Sequence, residues 1–149
     1  MSSSREGLKI TEKEWRYIAV FEQLTDVDVL DYVELDDLVV FMVRKGEVGK
    51  AVGKGGRKLS DLSQLLGGKR VKVVEHSEDL REFLINAMLP ANVKDVEIVE
   101  RDGKLTAIVH VSEEDKGKAI GKGGRNLKAV KELARRHFRV EKLDRKSVV

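Results

Sequence analysis

The residues of this chain best suited to chemistry with a partner are the glycines and cations of Lys50-Ala51-Val52-Gly53-Lys54-Gly55-Gly56-Arg57-Lys58-Leu59. Glycines let a backbone bend sharply and come close to another molecule, and flanking cations neutralise an anion that approaches. The set recurs as Lys118-Ala119-Ile120-Gly121-Lys122-Gly123-Gly124-Arg125-Asn126-Leu127, with Val52 replaced by Ile120 and Lys58 by Asn126. Three chemistries compete for such a loop, and spacing separates them. A nucleotide P-loop needs a hydroxyl after Gly-Lys to hold magnesium, and here glycine follows in both copies. A dinucleotide fingerprint needs a third glycine where Lys58 and Asn126 stand. What remains is Gly-x-x-Gly between two helices, with basic residues at the tip and the free N–H groups of the following helix pointing outward, suited to a sugar–phosphate strand.

Charge alternates in step with this repeat. Residues 1–48 carry a net −5, 49–74 carry +6, 75–115 carry −7 and 116–149 carry +9. Each glycine loop therefore opens a basic block behind an acidic one, the pattern of a face that neutralises RNA or DNA. Other chemistry finds no support. There is no cysteine, and His76, His110 and His137 lie far apart with no zinc-binding spacing, so no metal or other cofactor is expected. Asp36-Asp37 and Glu113-Glu114 read as turn and helix-start carboxylates, and no catalytic set is found; the chain is expected not to be an enzyme. His110 reads as a structural or sheet-surface residue within a strand. No run is apolar enough to span a bilayer and no apolar signal core follows the first residues, so a cytoplasmic protein is expected.

The elements that must position the loops come in two sets. At 149 residues, 41% hydrophobic and 37% charged, the chain holds one medium domain or two small ones, and the spacing of the repeat favours two. A capping box at Thr11 to Glu14 predicts a helix whose Tyr17, Ile18, Phe21 and Leu24 face a core, with Trp15 and Tyr17 read as core aromatics rather than stacking platforms. A half-buried strand is expected over 27–35, a turn at Asp36-Asp37, and a strand covered on both faces over 38–43. A short helix over 48–52 leads into the first loop, then a helix with Leu59, Leu62, Leu65 and Leu66 inward, stopped by Gly67-Gly68, and a strand over 71–74. The second half repeats the order: a helix capped by Ser77, a strand over 93–99, a turn over 101–104 and a strand over 105–111. A short helix, the second loop, a helix carrying Leu127, Val130, Leu133 and Ala134, and a strand over 139–143 complete it. The expected class is α+β, each half a mixed three-stranded sheet with helices on one face and the last two strands parallel across a helical crossover. The boundary is expected at 1–76 and 77–149, with 1–10 a flexible start, 145–149 a frayed tail, and no Gly/Ser-rich linker between the halves to loosen them.

Val52-Gly53-Lys54-Gly55-Gly56 and Ile120-Gly121-Lys122-Gly123-Gly124 match the signature of KH domains, and a helix and strand ahead of each core resemble the type II arrangement. Phe83-Leu84-Ile85-Asn86-Ala87-Met88-Leu89-Pro90-Ala91 followed by Val93-Lys94-Asp95-Val96 is similar to the start of the second KH domain in the NusA family of transcription factors. The resemblance runs from about Thr11 to Leu143, and the length resembles the short archaeal form. It implies two tandem type II KH domains binding extended single-stranded RNA in transcription termination or elongation, with a KH protein of ribosome assembly or RNA processing as the alternative. Carried over by position, Gly53, Lys54, Gly55 and Gly56 form one RNA-binding loop and Gly121, Lys122, Gly123 and Gly124 the other. Lys50, Arg57, Lys58, Lys118, Arg125 and Lys128 would contact phosphate. Val52 and Ile120 would line the base grooves or anchor the short helices. Longer family members carry an N-terminal polymerase-binding domain and an S1 domain, for which there is no room here. RNA polymerase and other transcription factors stand only as further partners of an expected monomer.

Overall fold

The computed structural model describes residues 11–148; the expected flexible start over 1–10 lies outside them. The chain divides between His76 and Ser77 into two compact units of the same order: helix, two strands, short helix, glycine loop, helix, strand.

In the first unit, α1 (Glu12–Thr25) begins where the Thr11 side-chain oxygen accepts from the Glu14 N–H at 3.2 Å. The Glu14 carboxylate answers by accepting from the Thr11 hydroxyl at 3.1 Å. The helix stops at Asp26, left-handed at φ 58°, whose N–H reaches Glu22 O at 2.9 Å. The strand expected from residue 27 begins later, as β1 (Asp31–Leu35), because the Val29 N–H is taken by the Glu22 carboxylate at 2.8 Å instead of a ladder partner. β1 turns at Asp36, φ 53°, into β2 (Leu38–Val43), buried at every residue as its continuous apolar run predicts. α2 (Val48–Val52), α3 (Arg57–Leu65) and β3 (Arg70–Glu75) follow. The sheet order is β1-β2-β3, with β1 antiparallel and β3 parallel to β2.

Ile18 and Phe21 from α1, Val39, Phe41 and Val43 from β2, Ala51 from α2 and Leu62 and Leu66 from the end of the crossover form one core. Phe21 and Phe41 stack at 4.3 Å between centroids; burying each ring stabilises by about 2–3 kcal/mol. Two residues read as core point outward: Leu65 is 63% exposed and Trp15 38%. Helix α3 is narrow on its buried side, and Leu62 and Leu66 fill it; Tyr17, not Trp15, packs partly against the core. At the edge of β1, Glu34 accepts hydrogen bonds from Lys69, from Lys13 at 3.1 Å and from the Tyr32 hydroxyl at 3.0 Å. Burial pushes the Glu34 carboxyl upward, but these three donors outweigh it and hold the group below its usual value.

In the second unit Asp79, not Ser77, caps α4 (Leu80–Ala87): its carboxylate accepts from the Glu82 N–H at 3.2 Å, while the Ser77 hydroxyl accepts from the Asp79 N–H at 3.1 Å one step earlier. Phe83 of α4 packs against Phe138 at 5.2 Å between centroids, and Ile85 faces out at 43% exposure. β4 (Val93–Arg101) and β5 (Lys104–Ser112) are joined by Asp102 and Gly103, both at positive φ. α5 (Lys116–Ile120), α6 (Arg125–Phe138) and β6 (Val140–Val148) complete a sheet ordered β4-β5-β6, with β6 parallel to β5. The expected strand over 139–143 starts one residue later, since Arg139 is the left-handed cap of α6 at φ 57°. The frayed tail expected from 145 is not found in the described residues. β5 is nine residues long and supplies a partner as far as Ser112, opposite Val148, so β6 continues to that point. His110 lies in β5 and meets the Glu97 carboxylate at 2.5 Å.

Candidate nucleic-acid interface

Each glycine loop sits where the crossover reverses. α2 ends at Gly53 and α5 at Gly121; the three residues that follow make a tight 3-10 turn, and α3 or α6 departs from the third glycine. The φ/ψ pairs are 78°/171° at Gly53 against 77°/169° at Gly121, 64°/20° at Gly55 against 64°/17° at Gly123, and 75°/15° at Gly56 against 78°/11° at Gly124. All six lie at positive φ, where a Cβ is strained, and the first of each set is in a region that only glycine enters readily. Two copies of a sequence have folded to one backbone shape, matching to 4° or better at every one of these angles.

The glycines divide by what surrounds them. A β-carbon on Gly53 would stand 2.8 Å from Lys58 Cγ and 3.2 Å from the Lys58 backbone N; on Gly121 it would stand 2.8 Å from Asn126 Cβ and 2.9 Å from the Asn126 backbone N. These two glycines let the loop close on the following helix. Around Gly55, Gly56 and Gly123 a β-carbon would meet nothing within 4 Å. The middle of each loop is thus bare backbone facing open space, with Lys54 or Lys122 exposed beside it.

The position after the arginine has a local role in both copies. Lys58 donates from its ammonium to the Lys50 carbonyl at 3.1 Å, and buried Asn126 donates from its side-chain amide to the Ala119 carbonyl at 2.9 Å. Either way a carbonyl at the end of the short helix, left unbonded by the helix itself, is satisfied across the loop. Lys58, expected by position to contact phosphate, uses one of its three ammonium donors on this staple, and Asn126 makes a similar bond without a charge. Sequence comparison alone shows only a Lys/Asn difference, and the shared task becomes visible through the bonds.

The remaining cations fall into two groups. Lys54, Arg57, Lys122 and Lys128 are exposed around the loop tips. Lys50 reaches Asp26 at 3.4 Å, Lys118 reaches Asp115 at 3.7 Å, and Arg125 donates from Nε to the Lys122 carbonyl at 2.9 Å, which braces the second loop. The two surface ion pairs are weak, of the order expected to contribute under about 1 kcal/mol, and yield readily to a phosphate. Val52 and Ile120 are half-buried at the ends of the short helices, and Ala51 and Ala119 beside them are fully buried anchors. No side chain caps α3 or α6 at its start, so the positive end of each helix dipole lies open at the loop. Among the described residues no group of His, Asp and Glu could hold a metal ion, and no helix is long and apolar enough to cross a membrane.

Residues 80–147 match the family model described as NusA-like second KH domain. The chain is 40% identical over 134 residues to a protein of Halobacterium salinarum named "Probable transcription termination protein NusA", covering 90% of this chain and 95% of the relative. A protein of the same name from Methanocaldococcus jannaschii is 33% identical over 137 residues, covering 91% of this chain and 74% of the relative. Among solved structures, the one described as "Crystal structure of APE1850" superposes with a TM-score of 0.74 at 37% identity, over 92% of this chain and all of the other.

Proposed function

The chain belongs to the NusA-like family of KH proteins represented by those archaeal relatives, and from that premise we propose that it binds single-stranded RNA through both glycine loops, acting in transcription termination or elongation. The observation that carries the reading is the duplicated loop: bare, left-handed glycine backbone beside an exposed lysine, held in one conformation twice. A phosphate strand laid across such a loop meets backbone close-up, a lysine, and the positive end of a helix. The half-buried Val52 and Ile120 offer apolar surface beside the loop for the bases. Two linked sites raise the local concentration of RNA at the second once the first is filled, so the pair binds more tightly than either loop alone.

The experiment replaces Lys54-Gly55 and Lys122-Gly123 by Asp pairs, singly and together, and measures affinity for single-stranded RNA against salt. With open space around Gly55 and Gly123, an Asp there meets only left-handed backbone strain of about 1–2 kcal/mol, and circular dichroism checks that the variants keep their fold. Either pair weakens binding, and the log–log salt slope becomes shallower by roughly 0.7 for each phosphate no longer neutralised. Unchanged affinity in the double variant would refute the loop assignment. Whether the bound RNA belongs to transcription is read from co-purification: transcribing polymerase supports the proposal, and ribosomal subunits alone would place the protein in ribosome assembly.

A further inference from the structure

The two domains hold their loops alike but present different walls beside them. Through the loops the repeat has a constant offset, with Gly53 matching Gly121 and Arg57 matching Arg125. α6 is then longer than α3, 14 residues against 9, and the offset shifts before the last strand. Sheet register restores the correspondence. In the first domain Phe41 of the central strand faces Val73; in the second the counterpart of Phe41 is Val109, and it faces Arg145. The residue two places earlier is aliphatic in both, Val71 against Val39 and Leu143 against Ala107. At this position the first domain carries an isopropyl group and the second a guanidinium.

Arg145 is placed to be read by a ligand. Residues opposite one another in a ladder share a face, and Val109, fully buried, puts Arg145 on the side of the sheet that carries the helices. β6 is an edge strand, and α6 packs along it. Because β6 runs parallel to β5, α6 returns antiparallel to both, so the start of α6 and the later residues of β6 lie at the same end of the sheet. That start is the glycine loop. Arg145, opposite Val109 in the second half of β6, is half-buried on the way to that end, and its neighbour Asp144 lies on the opposite face, accepting from the Arg145 backbone N–H at 2.8 Å.

We infer that Arg145 makes the second domain selective for guanine at the base seated beside its loop, while the first domain, with Val73, takes a base by apolar packing and is less selective. A guanidinium presents paired donors in a fixed fork, matched by the O6 and N7 acceptors of guanine, whereas adenine offers a donor at the first of these places. An aliphatic wall discriminates only by shape. This inference rests on the RNA-binding reading above and adds which domain reads sequence and through which side chain.

The test uses four single-stranded RNA octamers, uridine tracts varied to G, A, C or U at one central position, in moderate salt. The unmodified protein binds the G octamer roughly tenfold more tightly than the others. Arg145→Val removes that preference and leaves the other three affinities within about fivefold, the size of one ordinary hydrogen bond. Val73→Arg adds a preference for a second guanine in octamers carrying two. Arg145→Lys, which keeps the charge and the fold but not the fork, loses the preference as well. If Arg145→Val weakens all four octamers equally, Arg145 is a phosphate contact and the inference fails; a preference surviving that change also overturns it. An unmodified protein that binds none of the octamers would instead refute the RNA-binding reading itself.

Discussion

Gly121 lies so close beneath Asn126 that a β-carbon added to the glycine would stand 2.8 Å from that of the asparagine and 2.9 Å from its backbone nitrogen. Gly53 has the same relation to Lys58, but there the nearest atom is on a flexible side chain. Left-handed strain costs roughly 1–2 kcal/mol at any of the loop glycines, and overpacking adds about 1–3 kcal/mol where space is lacking. Gly121→Ala should therefore destabilise by about 3 kcal/mol in urea unfolding, Gly53→Ala somewhat less, and Gly55→Ala and Gly123→Ala by about 1 kcal/mol. Equal losses at all four positions would contradict this division of the loop.

The staple across each loop differs in burial, and so should its removal. Asn126→Leu leaves the Ala119 carbonyl without its partner in a buried setting and should cost about 1–3 kcal/mol. Lys58→Met removes an exposed bond and should change stability by under about 0.5 kcal/mol. Thermal melts of the two variants compare them directly; a larger loss at Lys58 would show that the exposed staple is the one that matters.

Glu34 ties acid stability to the edge of β1. Its carboxyl is raised by burial and lowered more by Lys69, Lys13 and Tyr32, so its folded value lies below its unfolded one. A depressed carboxyl contributes stability that is fully present above the unfolded value, near 4.5, and is lost as pH falls through the folded one. Glu34→Gln should thus be less stable than the unmodified protein by about 1 kcal/mol at pH 7, in keeping with a partly exposed pair, with the gap closing toward pH 3. A gap that stays constant from pH 7 to pH 3 would mean the ion pairs contribute nothing.

At Lys72 folding disfavours the charged form, where at Glu34 it favours it. Lys72 sits in β3 opposite Val40, where burial first and the charge of Arg70 second push its ammonium from an ordinary 10.5 down to about 8. Between those values the unfolded chain binds more protons than the folded one, so stability rises with pH across that window. Lys72→Met should remove the rise and add on the order of 1 kcal/mol at neutral pH. Denaturant midpoints measured from pH 7 to pH 10 check both, and a variant retaining the alkaline rise would assign it to another group.

Much of this was legible in the sequence because it rests on local chemistry. The Thr11 capping box, the turn at Asp36, the all-apolar β2 and both glycine loops are each written in a few adjacent residues. What escaped was decided by partners distant in sequence. β6 runs to Val148 because β5 is there to receive it, and a polar segment such as Asp144-Arg145-Lys146 gives no sign of that. Leu65 fits helical spacing as well as Leu66 does, but the core reaches only one of them. The wall position shared by Val73 and Arg145 was hidden by the longer α6, since a constant offset pairs the wrong residues; only the ladder realigns them. The staple from Lys58 to the Lys50 carbonyl escaped for another reason: nothing in the spacing of a Lys and a carbonyl eight residues apart announces it.

In each domain the glycine loop hangs within a crossover whose two ends are neighbouring parallel strands. A hairpin such as β4–β5 closes over a tight turn and zips from there, whereas a crossover closes only when strands far apart in the chain meet, and its entropy cost comes before any contact rewards it. On that ground the seat of each loop is expected to close after its hairpin. Until β6 docks along β5, α5 and α6 lack one wall of their seat. A chain cut before Lys142 would carry two glycine loops in its sequence and one in its structure.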